Sequence, residues 1–175
     1  MLEKPELVKN NLVLNEYEKG ALLGGLEHYL SIEKQNEDSD KTNLLRGVFD
    51  KYSSEKDFVL DTNEQQAIFE GLTPYLKERT KNEIFFSALL SFKVKEERKN
   101  NNNLLRNVFK KIIPNIETSM SSEEFLLMGI VVDENTNRKF ENNLKRLEDL
   151  EVTREEYLSY ENYFLPKEKQ RADFW

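Results

Sequence analysis

Cysteine is absent from this 175-residue chain, so neither a disulfide nor a thiolate-held metal contributes to its fold or chemistry. Histidine occurs once, at His28. A lone histidine removes the nucleophile–histidine arrangements that need a base with its own orienting partner. It also removes the Glu-x-x-His pairs by which helical bundles hold two irons. Beside Tyr29 in a helical pattern, His28 reads as a structural, partly exposed side chain. Four prolines and six glycines are too few for an all-β chain full of tight turns. No apolar run reaches the ~18 residues of a membrane span. The first residues carry Glu3, Lys4, Glu6 and Lys9 and lack the apolar stretch of a signal peptide. The expectation is a cytoplasmic protein with no membrane partner. The abundance of Lys, Glu and Asn, including the run Asn100–Asn103, suits the coding of an AT-rich bacterium or its phages and points to a bacterial host.

What is present is helical. The chain is 38% apolar and 34% charged, a balance that suits a small helical protein with much solvated surface. Its clearest signature recurs four times: an apolar residue, a short polar residue, two spacers and a glutamate. The copies run Leu14-Asn15 to Glu18, Leu60-Asp61 to Glu64, Met120-Ser121 to Glu124, and Val152-Thr153 to Glu156. Each predicts a capping box, in which the short side chain accepts from a first-turn N–H and the glutamate reaches back to the capper's own N–H. Met120 with Phe125 and Val152 with Tyr157 are candidate hydrophobic staples across the last two starts.

Two of these starts belong to a duplication. Val13–Leu30 matches Val59–Leu76 at eight of 18 positions, among them Val13/Val59, Glu18/Glu64, Gly25/Gly71 and Tyr29/Tyr75. Asn43–Lys51 then matches Asn103–Lys111 at seven of nine positions. The first offset is 46 and the second 60, so the second copy carries 14 extra residues within 77–102. Ile84, Phe85, Ala88, Leu89, Phe92 and Val94 predict an added or lengthened helix there. Repeats of this size bury one face only against a neighbour. Gly25 and Gly71 fall inside helices, where close approach of a partner helix is the expected reason. Pro74 predicts a kink, or a new first turn capped by Thr73. The matched Arg46 and Arg106 either repeat a ligand contact or lay their stems along the hairpin and pair with carboxylates.

The C-terminal third predicts a short apolar helix over Phe125–Val131, a polar break at Asp133–Asn137, and an amphipathic helix through Phe140, Leu144, Leu147 and Leu150. A last helix carries Tyr157, Tyr160, Tyr163 and Phe164 and stops near Pro166. The terminal Phe174-Trp175 is either docked or an exposed hook. The predicted architecture is all-α: a single domain, 1–175, forming a helical bundle of about seven helices. Two duplicated hairpins occupy 13–52 and 59–112, and a C-terminal group occupies about 120–165.

The motifs of chemistry are missing. Asp38–Thr42 and Asp133–Asn137 begin like calcium loops, but neither has glycine at position 6 or glutamate at position 12. Gly20–Gly25 lies in an apolar helical pattern without the lysine of a phosphate loop. Glu123/Glu124 and Glu155/Glu156 are first-turn acids favoured by the helix dipole. No catalytic, cofactor-binding or metal-binding residue is predicted, and the chain reads as a non-enzyme.

Charge remains. The net charge is −7, yet residues 77–111 hold ten basic against four acidic side chains. Residues 27–64 and 117–161 are acidic, at −5 and −7. The candidate partner-binding residues are Lys93, Lys95, Arg98, Lys99, Arg106, Lys110 and Lys111. Segregated charge without catalytic residues points to a stoichiometric protein-binding inhibitor or regulator, of the kind of an immunity protein or a phage anti-defence protein such as an anti-CRISPR. One alternative is a nucleic-acid-binding regulator using residues 77–111. Another is a structural or oligomerising component.

Overall fold

The computed structural model describes residues 11–32, 39–54, 59–87, 89–132 and 144–166; of 144–146 it describes the backbone alone. Ala88, Asp133–Asn137, Phe140 and Phe174-Trp175, singled out in the sequence, lie outside these residues. The elements in order are β1 (Leu12–Val13), α1 (Glu16–Ile32), α2 (Asp40–Ser54), β2 (Val59–Leu60), α3 (Thr62–Phe85) and α4 (Phe92–Ile112), followed by α5 (Ser122–Leu127), α6 (Leu144–Asp149) and α7 (Arg154–Phe164). The protein is an all-α helical bundle, with seven α-helices and one two-stranded ladder among the described residues.

Three of the four capping boxes close in both directions. Glu18 N–H donates to Asn15 Oδ1 at 2.9 Å and Asn15 N–H to Glu18 Oε2 at 3.1 Å. The Asp61–Glu64 pair does the same at 2.8 and 2.9 Å, and the Thr153–Glu156 pair at 3.2 and 3.1 Å. The fourth closes by half: Glu124 N–H reaches Ser121 Oγ at 3.4 Å, while the Glu124 carboxylate lies 4.0 Å from Lys77 Nζ. A cation across the helix start competes for the carboxylate. The start of α2 carries no glutamate signal. There Thr42 N–H donates to Ser39 Oγ at 3.1 Å, which makes this stretch a helix entrance.

Helix ends depart further from expectation. The apolar stretch from Phe125 stops being helical after Leu127, not Val131. Gly129 takes φ 75°, Ile130 N–H donates to Phe125 O at 2.9 Å and Gly129 N–H to Leu126 O at 2.8 Å. This is the left-handed exit that glycine adopts without steric cost. The end of α6 repeats the pattern with Glu151 at φ 55° and Val152 N–H donating to Leu147 O. Pro74 starts no new helix; α3 runs through it, and the Thr73 hydroxyl donates backward to Phe69 O at 2.6 Å. The extra residues of the second copy lengthen both its helices, to 24 and 21 residues against 17 and 15.

The chain divides into two compact units, Met1–Tyr75 with Asn103–Thr118 and Leu76–Asn102 with Ser119–Trp175. Within the first, the two sequence copies meet by exchanging equivalent partners. In the antiparallel ladder Val13 lies opposite its own counterpart, Val59. A Cβ on Gly25 would lie 3.4 Å from the Tyr75 ring, and one on Gly71 would lie 3.7 Å from the equivalent Tyr29 ring. Lys111 Nζ holds Glu18 Oε2 at 2.7 Å, while the equivalent Lys51 Nζ lies 4.0 Å from Glu64 Oε1. Reciprocity of this kind is the mark of a two-fold, self-complementary interface, here between duplicated segments of one chain. Each lysine stands in the last turn of its helix and each glutamate in the first turn of another, so the helix dipoles reinforce the pairing.

The copies are not identical. Glu64 also accepts from the Tyr52 hydroxyl at 3.1 Å, where the second copy has Ile112. Burial raises the Tyr52 hydroxyl above its ordinary pKa, Lys51 opposes this and Glu64 adds to it.

The second unit has its own apolar centre of Leu126, Leu127, Leu147, Tyr157 and Tyr160. Ile84, Val131, Leu150, Val152 and Phe164 pack against it. Val152 therefore packs on the cluster holding Tyr157, as a staple requires, and Ile84 brings in the lengthened end of α3.

Two predictions follow from this packing. A Cβ on Gly71 would stand 2.7 Å from Cδ1 of the fully buried Leu45, so that side chain must shift within the core, whereas one on Gly24 meets nothing within 4 Å. Gly24→Ala is expected to stabilise by about 1 kcal/mol through helix propensity, and Gly71→Ala to destabilise by about 1 kcal/mol as overpacking outweighs the same gain. Urea unfolding of the two variants checks the opposite signs. Burial, with the Glu156 charge adding to it, raises the Tyr160 hydroxyl from 10.0 to about 12. A folded-state pKa above the unfolded one favours the protonated fold, so this stability is complete below pH 10 and lost as pH climbs through about 12. Tyr160→Phe should flatten that alkaline loss, read as the change in urea midpoint across the window.

Candidate functional site

The seven cations singled out in the sequence all fall on α4, but the fold gives them different work. Arg106 is 2% exposed and donates from Nη1 to Asn103 Oδ1 at 2.8 Å. Lys111 is bound to Glu18, itself 4% exposed. Arg106 is thus withdrawn into the core, whereas Lys111 keeps a side chain 41% exposed while it holds Glu18. Lys110 is exposed in the last turn. Lys93, Arg98 and Lys99 are exposed and Lys95 is half-buried, on the first turns of α4. Glu96 and Glu97, both exposed, interrupt this group, so its charge is lower than a count of lysines and arginines suggests.

Arg46 and Arg106 occupy matched sequence positions and unlike surroundings. Half-buried Arg46 lines a shallow 310 Å³ groove with Glu27, Leu30, Ser31 and Phe49. A repeated ligand contact would need both guanidiniums open, and Arg106 is not.

Just before the α4 cations lies a turn between the two lengthened helices. Phe85, Phe86, Leu89 and Phe92 are exposed to 43, 45, 78 and 79%. The sequence reading puts Phe85, Leu89 and Phe92 with Ile84, Ala88 and Val94 in an added or lengthened helix. The added residues lengthen α3 to Phe85 and start α4 at Phe92, and of the apolar residues named there Ile84 packs on the apolar centre of its unit. Phe85 lies 6.0 Å from Lys81 Nζ across its ring face. Four side chains this large are exposed within eight residues, with basic side chains on either side of them in the sequence. Scattered single apolar side chains are ordinary on a protein surface; a contiguous group is characteristic of an interaction site.

Behind this turn α3 and α4 enclose a polar cavity of about 220 Å³ lined by Arg79, Asn82, Glu83, Arg98 and Asn102. Asn102 is its organiser. Its Oδ1 accepts from Arg79 Nε at 3.1 Å and its Nδ2 donates to Glu83 Oε1 at 3.2 Å. Both ends of the amide are thus committed, which fixes its orientation. No group of three or more His, Asp or Glu capable of holding a metal occurs among the described residues. No helix among them is long and apolar enough to cross a membrane.

No protein-family model matches the chain, and neither a curated protein nor a solved structure matches it.

The difference between buried and open cations is measurable. Arg106→Glu places an uncompensated charge in the core and is expected to cost about 3 kcal/mol or more. Reversal of Lys95, Arg98 and Lys99 to glutamate together should move stability by only ~0.5 kcal/mol per site. Thermal unfolding of both variants tests this; equal losses would mean that the open group is also structural.

Proposed function

We propose that the protein is a non-enzymatic regulator that acts stoichiometrically by binding another protein through the α3–α4 turn. The observation that carries this reading is the exposed group Phe85, Phe86, Leu89 and Phe92 bordered by Lys81, Lys93, Lys95 and Lys99. Its complement is an acidic protein surface with an apolar recess, since apolar burial supplies affinity and the basic border supplies steering and register. The duplication supports the placement. The reciprocal contacts of the two copies use residues 13–75 and 103–111, so the 14 surplus residues are not needed to close them. Inhibitors of the immunity-protein or phage anti-defence kind, anti-CRISPR proteins among them, work stoichiometrically in this way in a bacterial cytoplasm, and we assign the chain to that class.

Direct nucleic-acid binding through residues 77–111 draws on fewer open cations than the sequence count implies. Arg106 is buried, Lys111 is held by Glu18, and Lys77 lies 4.0 Å from Glu124. An oligomerising role would use the same apolar turn on a second copy of the chain.

The test compares wild type with Phe86→Ser/Phe92→Ser and with the Lys95/Arg98/Lys99 reversal, each immobilised and exposed to the same bacterial lysate. A protein retained by wild type and lost from both variants, at unchanged melting temperature, is the expected result. Retention of the same proteins by all three forms would overturn the reading. So would an oligonucleotide gel shift whose affinity falls steeply with salt, or a scattering mass that rises with concentration for wild type and not for the Phe86→Ser/Phe92→Ser form.

A further inference from the structure

The polar cavity between α3 and α4 has more internal order than a surface cleft requires. Glu83 and Asn102 are each 4% exposed, and Asn102 spans Glu83 and Arg79 by hydrogen bonds of 3.2 and 3.1 Å. Burial of such a network has a cost unless its polar atoms are satisfied. Here it holds the Arg79 guanidinium by Nε, so that one of its edges is set in direction. Across the cavity Arg98 is exposed and makes no ion pair or hydrogen bond among the described residues. The half-buried Asn82 belongs to α3, as Arg79 does.

We infer that this cavity is a carboxylate-binding site, with Arg98 as the approaching fork, Asn82 as a second donor and Asn102 as the residue that positions Arg79. Charge selects the ligand class. The lining holds two guanidiniums and one carboxylate, a basic set that suits a singly charged carboxylate. A phosphate dianion would sit against the buried Glu83. Geometry agrees, because a guanidinium presents two parallel N–H groups to two carboxylate oxygens, a match that a lysine cannot reproduce. Size agrees as well. At about 220 Å³ the cavity is smaller than the ~300–1,000 Å³ of sites for drug-sized molecules, and suits a side-chain-sized acid. The carboxylate comes either from a free small acid or from an aspartate or glutamate of a bound protein.

The experiment titrates the full ¹⁵N-labelled chain with propionate, its neutral analogue propionamide, inorganic phosphate, and an end-blocked peptide carrying one glutamate. The side-chain amides of Asn82 and Asn102 and the Arg98 Nε–H are followed by NMR. The expected result is a saturable shift of these three signals with propionate, none with propionamide, and weaker binding of phosphate. Arg98→Gln should weaken propionate binding about tenfold, the loss expected for a charge-assisted pair, and Arg98→Lys should restore it only in part. A glutamate peptide binding more tightly than propionate through the same signals identifies a protein side chain as the source. Equal affinity identifies a free acid. Either outcome upholds the site. Absence of a saturable shift with propionate, an equal response to propionamide, or tighter binding of phosphate would overturn it. No partner protein enters this measurement, so it stands or falls separately from docking at the apolar turn.

Discussion

Glu18 and Glu64 each do two things at once, and the first compact unit depends on that overlap. Each carboxylate closes the start of its own helix by accepting from the backbone of Asn15 or Asp61. Each also faces the last-turn lysine of the other sequence copy, Lys111 for Glu18 and Lys51 for Glu64. A local device that any helix could use thereby becomes a connection between duplicated segments. The energetic weight does not lie in the ion pairs, since partly exposed lysines contribute little. It lies in the helices that those contacts align. With the starts of α1 and α3 tied to the ends of α4 and α2, Gly25 and Gly71 come opposite Tyr75 and Tyr29, and an added Cβ would press on Leu72 Cδ1 at 3.2 Å and Leu45 Cδ1 at 2.7 Å. Buried Leu22, Leu26, Leu45, Leu72 and Phe109 fill the unit around that approach.

Symmetry of this kind makes its own departures informative. A lone duplicated unit would give two equivalent hairpins. The second hairpin is longer, and its surplus serves two purposes. One side enters the second unit, where Ile84 packs on Leu126, Leu127, Leu147, Tyr157 and Tyr160 and Lys77 approaches Glu124. The remainder ends in a turn where large apolar side chains stay open beside basic ones. Phe86 and Phe92 on this segment are 45 and 79% exposed. The polar cavity behind the turn adds a third property, a buried amide whose oxygen and nitrogen are each bonded to a charged neighbour.

Capping boxes, the duplication and the all-α class were legible in the chain because each rests on contacts within a few residues, or on identity between distant segments. The Ser121 box shows the limit of this. Its pattern is as good as the others, but Lys77, distant in sequence, draws Glu124 away. Helix ends at Gly129 and Glu151 were less legible, since a left-handed exit competes with apolar residues on either side of it. The two-residue strands were invisible to periodicity. Their trace is that Val-Leu precedes two of the four cappers.

What the sequence by itself determined is the set of local choices: where helices start, that two segments are copies, and that the copies differ by 14 residues. These follow from backbone hydrogen bonding and side-chain period, which act over one or two turns. Only the tertiary structure decided which charges and apolar groups face water. Arg106 and Arg98 are indistinguishable as letters in a basic segment; one lies in the core and the other at the rim of a cavity. Phe109 and Phe92 belong to the same helix, one fully buried and one 79% exposed. Burial depends on which surfaces meet across tens of residues, and helical period alone does not determine whether a face finds a partner.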